Sequence, residues 1–145
     1  MPAFCLDTSA IITLRDDEPG AERVAMLLEG PDPCLACFIT RMEVLYRVWK
    51  DEGESSGRLA YEQLQSLPIQ WVDQKEPLLL EASRIKASYQ LSVADAWIAA
   101  TAILSRATLL HKDPGFEAMT DLDQFGWLED YSRQEQIFDG CSEEK

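Results

Sequence analysis

The chain has 145 residues, enough for one domain with a sizeable core. It carries 26 acids against 13 bases, a formal net charge of −13, which argues against broad, non-specific nucleic-acid binding. A nucleic-acid substrate held locally through cations stays compatible with that charge, as does a basic protein partner.

The chain contains no apolar stretch of membrane-span length, and MPAFCLDTSA lacks the basic and long apolar regions of a secretory signal. A cytoplasmic protein with no membrane partner is expected. Cys5, Cys34, Cys37 and Cys141 are then expected to be reduced thiols. The Cys34-Leu35-Ala36-Cys37 spacing is that of a redox motif, but it falls in a predicted strand, where i and i+3 point to opposite faces. With no second such motif and one histidine, a zinc site lacks ligands.

Ala3–Leu6 reads as a strand feeding a helix through the polar turn Asp7-Thr8-Ser9. Gly20–Glu29 suits a helix with Val24, Leu27 and Leu28 inward, broken by Pro31-Asp32-Pro33. Cys34–Phe38 reads as a second strand. Met42, Leu45, Tyr46 and Trp49 have helical spacing within Thr40–Glu52. Gly53–Gly57 is a polar break, and Arg58–Ser66 a further helix. Ile69–Val72 reads as a third strand ended by Asp73. Glu76–Gln90, with Leu79, Leu80, Ile85 and Ala87, reads as helix. Ser92–Arg106 is the clearest helix, with Val93, Ala96, Trp97, Ala100, Ile103 and Leu104 on one stripe. Thr108–His111 is a strand closed by the turn Asp113-Pro114-Gly115, and Trp127–Leu128 a last short strand.

Strands alternating with helices predict an α/β fold: three layers, α/β/α, around a mostly parallel sheet. The expected organisation is one domain over residues 1–135 and a flexible acidic tail over 136–145. Such sheets bind ligands beyond the carboxyl ends of their strands. Asp7 and Asp113 fall at two such ends. Glu43 and Asp95 lie on helices that are otherwise strongly apolar. Four converging carboxylates repel one another and call for a hard cation such as Mg²⁺.

Each acid also has a plainer role. Asp7 can cap the following helix, with Ser9 as a rival cap. Glu43 can pair with Arg47 four residues on. Asp95 can complete a capping box with Ser92. Asp113 is a good turn former before Pro-Gly. The functional case rests on all four together. His111, at the end of a buried strand, reads as structural. Trp49, Trp71, Trp97 and Trp127 read mainly as core or interface residues.

LDTSAII, ITRMEVLY, VADAWIAATA and LLHKDPGF, in this order, resemble the PIN-domain family, in its VapC-like toxin branch, from about Ala3 to Leu128. The resemblance implies a homodimeric, Mg²⁺-dependent ribonuclease, with Mn²⁺ able to substitute, held inactive by a cognate antitoxin. By motif position Asp7, Glu43, Asp95 and Asp113 match the family's acidic quartet, and its fourth member is the most variable. Ser9 matches the supporting hydroxyl, with Thr8 as a nearby alternative. Many relatives carry a glycine soon after the middle glutamate. Arg47 lies in that neighbourhood here, where it could reshape the groove or pair with Glu43.

The chemistry supports such an enzyme independently, because a bound cation can activate water and stabilise a scissile phosphate without a protein nucleophile. The resemblance implies 5′-phosphate and 3′-hydroxyl products. Arg15, Arg41, Arg47 and Lys112 lie near the acids in sequence and are candidate RNA phosphate contacts. A haloacid-dehalogenase-like phosphatase would need Asp where Ser9 stands, and neither phosphate-loop nor dinucleotide fingerprints occur. The alternative from another class is a catalytically inactive PIN-like module that binds protein or RNA.

Overall fold

The computed structural model describes residues 2–125. Five parallel strands form one sheet in the order β3-β2-β1-β4-β5, with β1 Phe4–Leu6, β2 Cys34–Cys37, β3 Gln70–Val72, β4 Thr108–Leu110 and β5 Gln124–Phe125. The predicted last strand at Trp127–Leu128, the tail and Cys141 lie outside the described residues.

Parallel strands need crossovers, and helices supply them: α1 Thr8–Arg15, α2 Ala21–Glu29, α3 Phe38–Glu52, α4 Glu54–Gln65, α5 Glu76–Ser88 and α6 Val93–Leu104. Strand residues alternate between the two faces of the sheet. Cys5, Cys37 and Leu109 pack with Ala82, Ile85, Ile98 and Ala99 of α5 and α6. Leu6, Cys34 and Leu110 pack with Ala10, Val24, Val44 and Leu64 of α1 to α4. The three-layer α/β/α architecture is therefore present. Cys34 and Cys37 lie on opposite faces as their spacing predicts, and burial pushes both thiols up from their ordinary pKa.

Several predicted bounds and faces shift. Phe38 begins α3 instead of ending β2, because Cys37 is the last extended residue. The polar break after α3 shrinks to Gly53, whose φ of 100° needs glycine. The chain then re-enters helix at Glu54. Gly57 lies inside α4 against α3, where a Cβ would stand 2.9 Å from Trp49 Cβ.

On α3 the buried face is Thr40, Glu43, Val44 and Val48, while Met42, Tyr46 and Trp49 are 61, 44 and 42 % exposed. The apolar stripe read from the sequence therefore faces out. Glu43 can face in because it is hydrogen-bonded there. On α5 the inward residues are Leu78, Ala82 and Ile85, with Leu79 and Leu80 exposed. On α6 small residues face the sheet: Ala96, Ala99, Ala100 and Ala102 are essentially fully buried, with Ile98 beside them. Val93 and Leu104 of the predicted stripe are exposed. These small residues fill the cluster that α6 shares with the sheet and α5.

From β1 the chain passes outward through β2 to β3, then crosses back to β4 on the other side of β1. The reversal falls between β1 and β4, and the crevice beyond their carboxyl ends is where open parallel sheets hold ligands.

Candidate active site

Asp7 follows β1 directly, and its backbone N–H donates to Leu110 O at 3.1 Å. It is the N-cap of α1, with Oδ2 accepting the Ser9 N–H at 3.3 Å and the Ser9 hydroxyl at 2.6 Å. Ser9 Oγ also accepts the Lys112 backbone N–H at 2.9 Å. One hydroxyl thus ties the end of β1 to the loop after β4. Burial pushes the Asp7 carboxyl above its ordinary pKa, the Ser9 and Thr8 hydrogen bonds oppose this, and the charge of Glu43 adds to the rise.

Glu43 is buried on α3. The Thr8 hydroxyl donates to its Oε1 at 2.7 Å, and Arg47 Nη2 stands 3.6 Å from its Oε2. A buried carboxylate is costly without partners, and these two offset that cost. Burial works against the Arg47 cation, but Tyr46, Glu43 and Asp7 together hold its pKa above the usual value. Both hydroxyls offered as alternatives are in use, Ser9 on Asp7 and Thr8 on Glu43.

Asp95 occupies the first turn of α6, where its N–H donates to the capping Ser92 Oγ at 3.1 Å. Its carboxyl is pushed up from 3.8 to about 7, by burial first, then by the charge of Asp7 and by the hydrogen bond and charge of Asp113. Asp113 follows β4, and its Oδ1 accepts the Gly115 N–H at 2.8 Å, opening the short 3-10 turn Pro114–Ala118. Every plain role proposed for the four acids is therefore present: two helix-start roles, an ion pair and a turn. Across this edge the charge of Glu43 reaches Asp7, and those of Asp7 and Asp113 reach Asp95.

The donor set is oxygen only and negative, the type that suits a hard divalent cation. It is not a closed cage: among the described residues no group of three His, Cys, Asp or Glu side chains is arranged to hold an ion. Mg²⁺ keeps several of its waters and does not require one.

The four candidate phosphate contacts separate. Arg15 is paired with Asp16 and Glu52, and Arg41 with Asp73 and the Trp71 ring. Arg47 stands beside Glu43. Lys112 lies between His111 and Asp113 in the loop after β4, with Nζ 3.5 Å from Glu18 Oε2. Sequence reading gave no part to Gln124, which bonds His111 beneath the Asp113 loop. Its only signal would have been the pairing of β4 with β5.

The family model described as PIN domain matches residues 4–122. No curated protein matches the chain. Among solved structures the chain is similar to VapBC2 from Rickettsia felis bound to a promoter DNA fragment, at 17 % identity and TM-score 0.72, covering 86 % of this chain and 98 % of that one. It is similar to VapBC-1 from nontypeable Haemophilus influenzae at 27 % identity and TM-score 0.68, with coverage of 86 and 98 %. It is also similar to the sarcin-ricin loop cleaving toxin VapC20 from Mycobacterium tuberculosis, at 14 % identity and TM-score 0.65, with coverage of 81 and 95 %.

Proposed function

The chain belongs to the PIN-domain family, and from that premise we propose that it is a divalent-cation-dependent endoribonuclease, the toxin of a toxin–antitoxin pair. The observation that carries this reading is the Asp95 carboxyl at the start of α6, which burial first, then the charge of Asp7 and the hydrogen bond and charge of Asp113, raise to about 7. A carboxyl raised by burial and by neighbouring acids at the carboxyl edge of a parallel sheet marks a candidate functional site.

Asp7, Glu43, Asp95 and Asp113 would hold Mg²⁺, with Mn²⁺ able to substitute. Such a cation, when bound, lowers the pKa of water and offsets charge on a scissile phosphate. The remaining work belongs to the chain. Ser9 fixes Asp7 in orientation. Thr8 and Arg47 hold Glu43. A bound cation would favour the ionised form of Asp95, which would then serve as one of its oxygen ligands. Arg47 and Lys112 are the candidate contacts for RNA phosphates nearest the acids, and each also holds an acid of its own, Glu43 and Glu18.

Relatives solved as toxin–antitoxin complexes support a protein partner, among them the Haemophilus influenzae VapBC-1 and a Klebsiella pneumoniae complex. The net charge of −13 suits a basic antitoxin segment. We also propose a homodimer in the cytoplasm. Among the described residues no helix is long and apolar enough to cross a membrane.

The test is cleavage of a mixed RNA pool by the purified chain with Mg²⁺, Mn²⁺ or EDTA. Asp7→Asn and Asp95→Asn should each abolish cleavage while leaving the fold intact. Unchanged rates in both variants would remove the active-site assignment. A wild type that cuts nothing but captures its partner would favour an inactive binding module.

A further inference from the structure

Beneath the Asp113 loop lies a buried line of hydrogen bonds that the acids do not account for. His111 is fully buried, and its ring packs on Phe116 with centroids 4.8 Å apart. Gln124 Nε2 donates to Phe116 O at 2.8 Å and to Met119 O at 3.1 Å. Those two carbonyls fix the orientation of the amide, so Gln124 Oε1 is the atom facing His111 Nε2, at 2.8 Å. An oxygen there can only accept, so His111 carries its proton on Nε2. Its Nδ1 is then a free acceptor, and it takes the Asp113 backbone N–H at 3.1 Å.

The line is anchored at its far end. Gln124 sits in β5, paired in register with Leu109 of β4. Each link constrains the next, from the sheet edge through one amide and one ring to the backbone of an acid.

We propose that His111 and Gln124 are positioning residues that hold the Asp113 carboxyl at the acidic edge. This rests on the reading of Asp113 as one of the cation-binding acids. Asp113 meets the Asp95 carboxyl by both a hydrogen bond and charge, so the position of its backbone sets how the two acids face each other. Its loop is held by the Gly115 N–H on Asp113 Oδ1, by the Phe116 N–H on Asp113 O at 3.4 Å, and by the neighbouring Lys112 N–H on Ser9 Oγ. The bond from its own N–H to His111 adds a restraint that runs on through Gln124 to the sheet edge. A histidine that merely fills the core would destabilise the fold when replaced, but its loss would not depend on Asp113.

The experiment is a double-mutant cycle read by Mn²⁺ calorimetry and by kcat and KM on RNA. His111→Asn puts an oxygen near the place of Nδ1 and keeps an acceptor for Asp113. His111→Gln puts its amide near the place of Nε2 and keeps only the link to Gln124. Weakening by about tenfold in Mn²⁺ affinity is expected for His111→Gln, with kcat falling and KM unchanged, while His111→Asn stays much closer to wild type. In an Asp113→Asn background the His111→Gln loss should vanish. If His111→Gln fails to fold, Gln124→Glu serves instead, since it removes the donors to Phe116 and Met119, and the same coupling is expected.

Equal losses in the two His111 variants, or a loss undiminished without the Asp113 carboxylate, would assign His111 to packing and overturn the proposal. A wild type that binds Mn²⁺ but cuts no RNA would overturn the proposed function, and the affinity cycle would still decide this inference. A wild type that takes up no Mn²⁺ would overturn both.

Discussion

Asp95→Asn should stabilise the cation-free protein at alkaline pH, and the gain should disappear in acid. The folded-state pKa of Asp95, about 7, lies above its ordinary 3.8. A raised acid favours the protonated form in the fold. Its contribution is therefore most favourable below about pH 4 and is lost as pH rises toward 7. Above pH 7 the folded protein carries the charge at full cost. The span corresponds to at most roughly 4 kcal/mol at 1.36 kcal/mol per pH unit. Asp95 is only partly buried, so solvent screening reduces this to about 1–2 kcal/mol. For a domain of this size that is a rise of roughly 2–8 °C in melting temperature. The assay is a thermal melt of wild type and variant in EDTA at pH 8, 6 and 4. The rise should be largest at pH 8 and negligible at pH 4. A variant that melts no higher than wild type at pH 8 would refute the reasoning, because neither burial nor the neighbouring acids would then be penalising the Asp95 charge.

Saturating Mn²⁺, at one hundred times its dissociation constant, should stabilise wild type by about 2.7 kcal/mol. The Asp7→Asn/Asp95→Asn double variant should lose most of that shift in a thermal melt, and equal shifts would place the ion elsewhere. Thr8→Val should cost about 2–3 kcal/mol in urea unfolding, because it strands the buried Glu43 Oε1, whereas Thr8→Ser should retain most of the stability. Gly57→Ala should lower the melting temperature despite the better helix propensity of alanine. Its Cβ would meet Trp49 Cβ at 2.9 Å and Leu45 O at 3.0 Å, an overpacking cost of about 1–3 kcal/mol.

The strands were legible because buried parallel strands are short apolar runs between turn residues, as in FCL and TLL. Asp7, Glu43 and Asp95 stood out as candidates because they interrupt sequence that is otherwise fit for a core. Helix orientation was less so. α3 carries apolar residues on two faces, and periodicity alone cannot say which one meets the sheet. The deciding contact was the Thr8–Glu43 bond, between residues 35 positions apart. Gly57 misled in a related way. It looked like a loop residue, yet it serves the close approach of two helices. The His111–Gln124 bond was invisible because it depends on β5, a two-residue strand with no pattern of its own.

The alanine face of α6 makes the site fragile from a distance. Ala99, Ala100 and Ala102 have no exposed surface, and the helix that carries Asp95 in its first turn rests on them. The added atoms of a larger residue have no free space in that cluster and would shift the helix against its neighbours. Shifting it moves Asp95 relative to Asp7, which is fixed to a strand end. A genetic screen for chains that have lost activity should therefore recover valine and threonine at these alanines alongside changes to the acids themselves. The outer side of the same helix, at Val93 and Leu104, should be nearly silent in that screen. Inheritance of activity would then depend as much on the absence of side chains at one helix–sheet contact as on the carboxylates it positions.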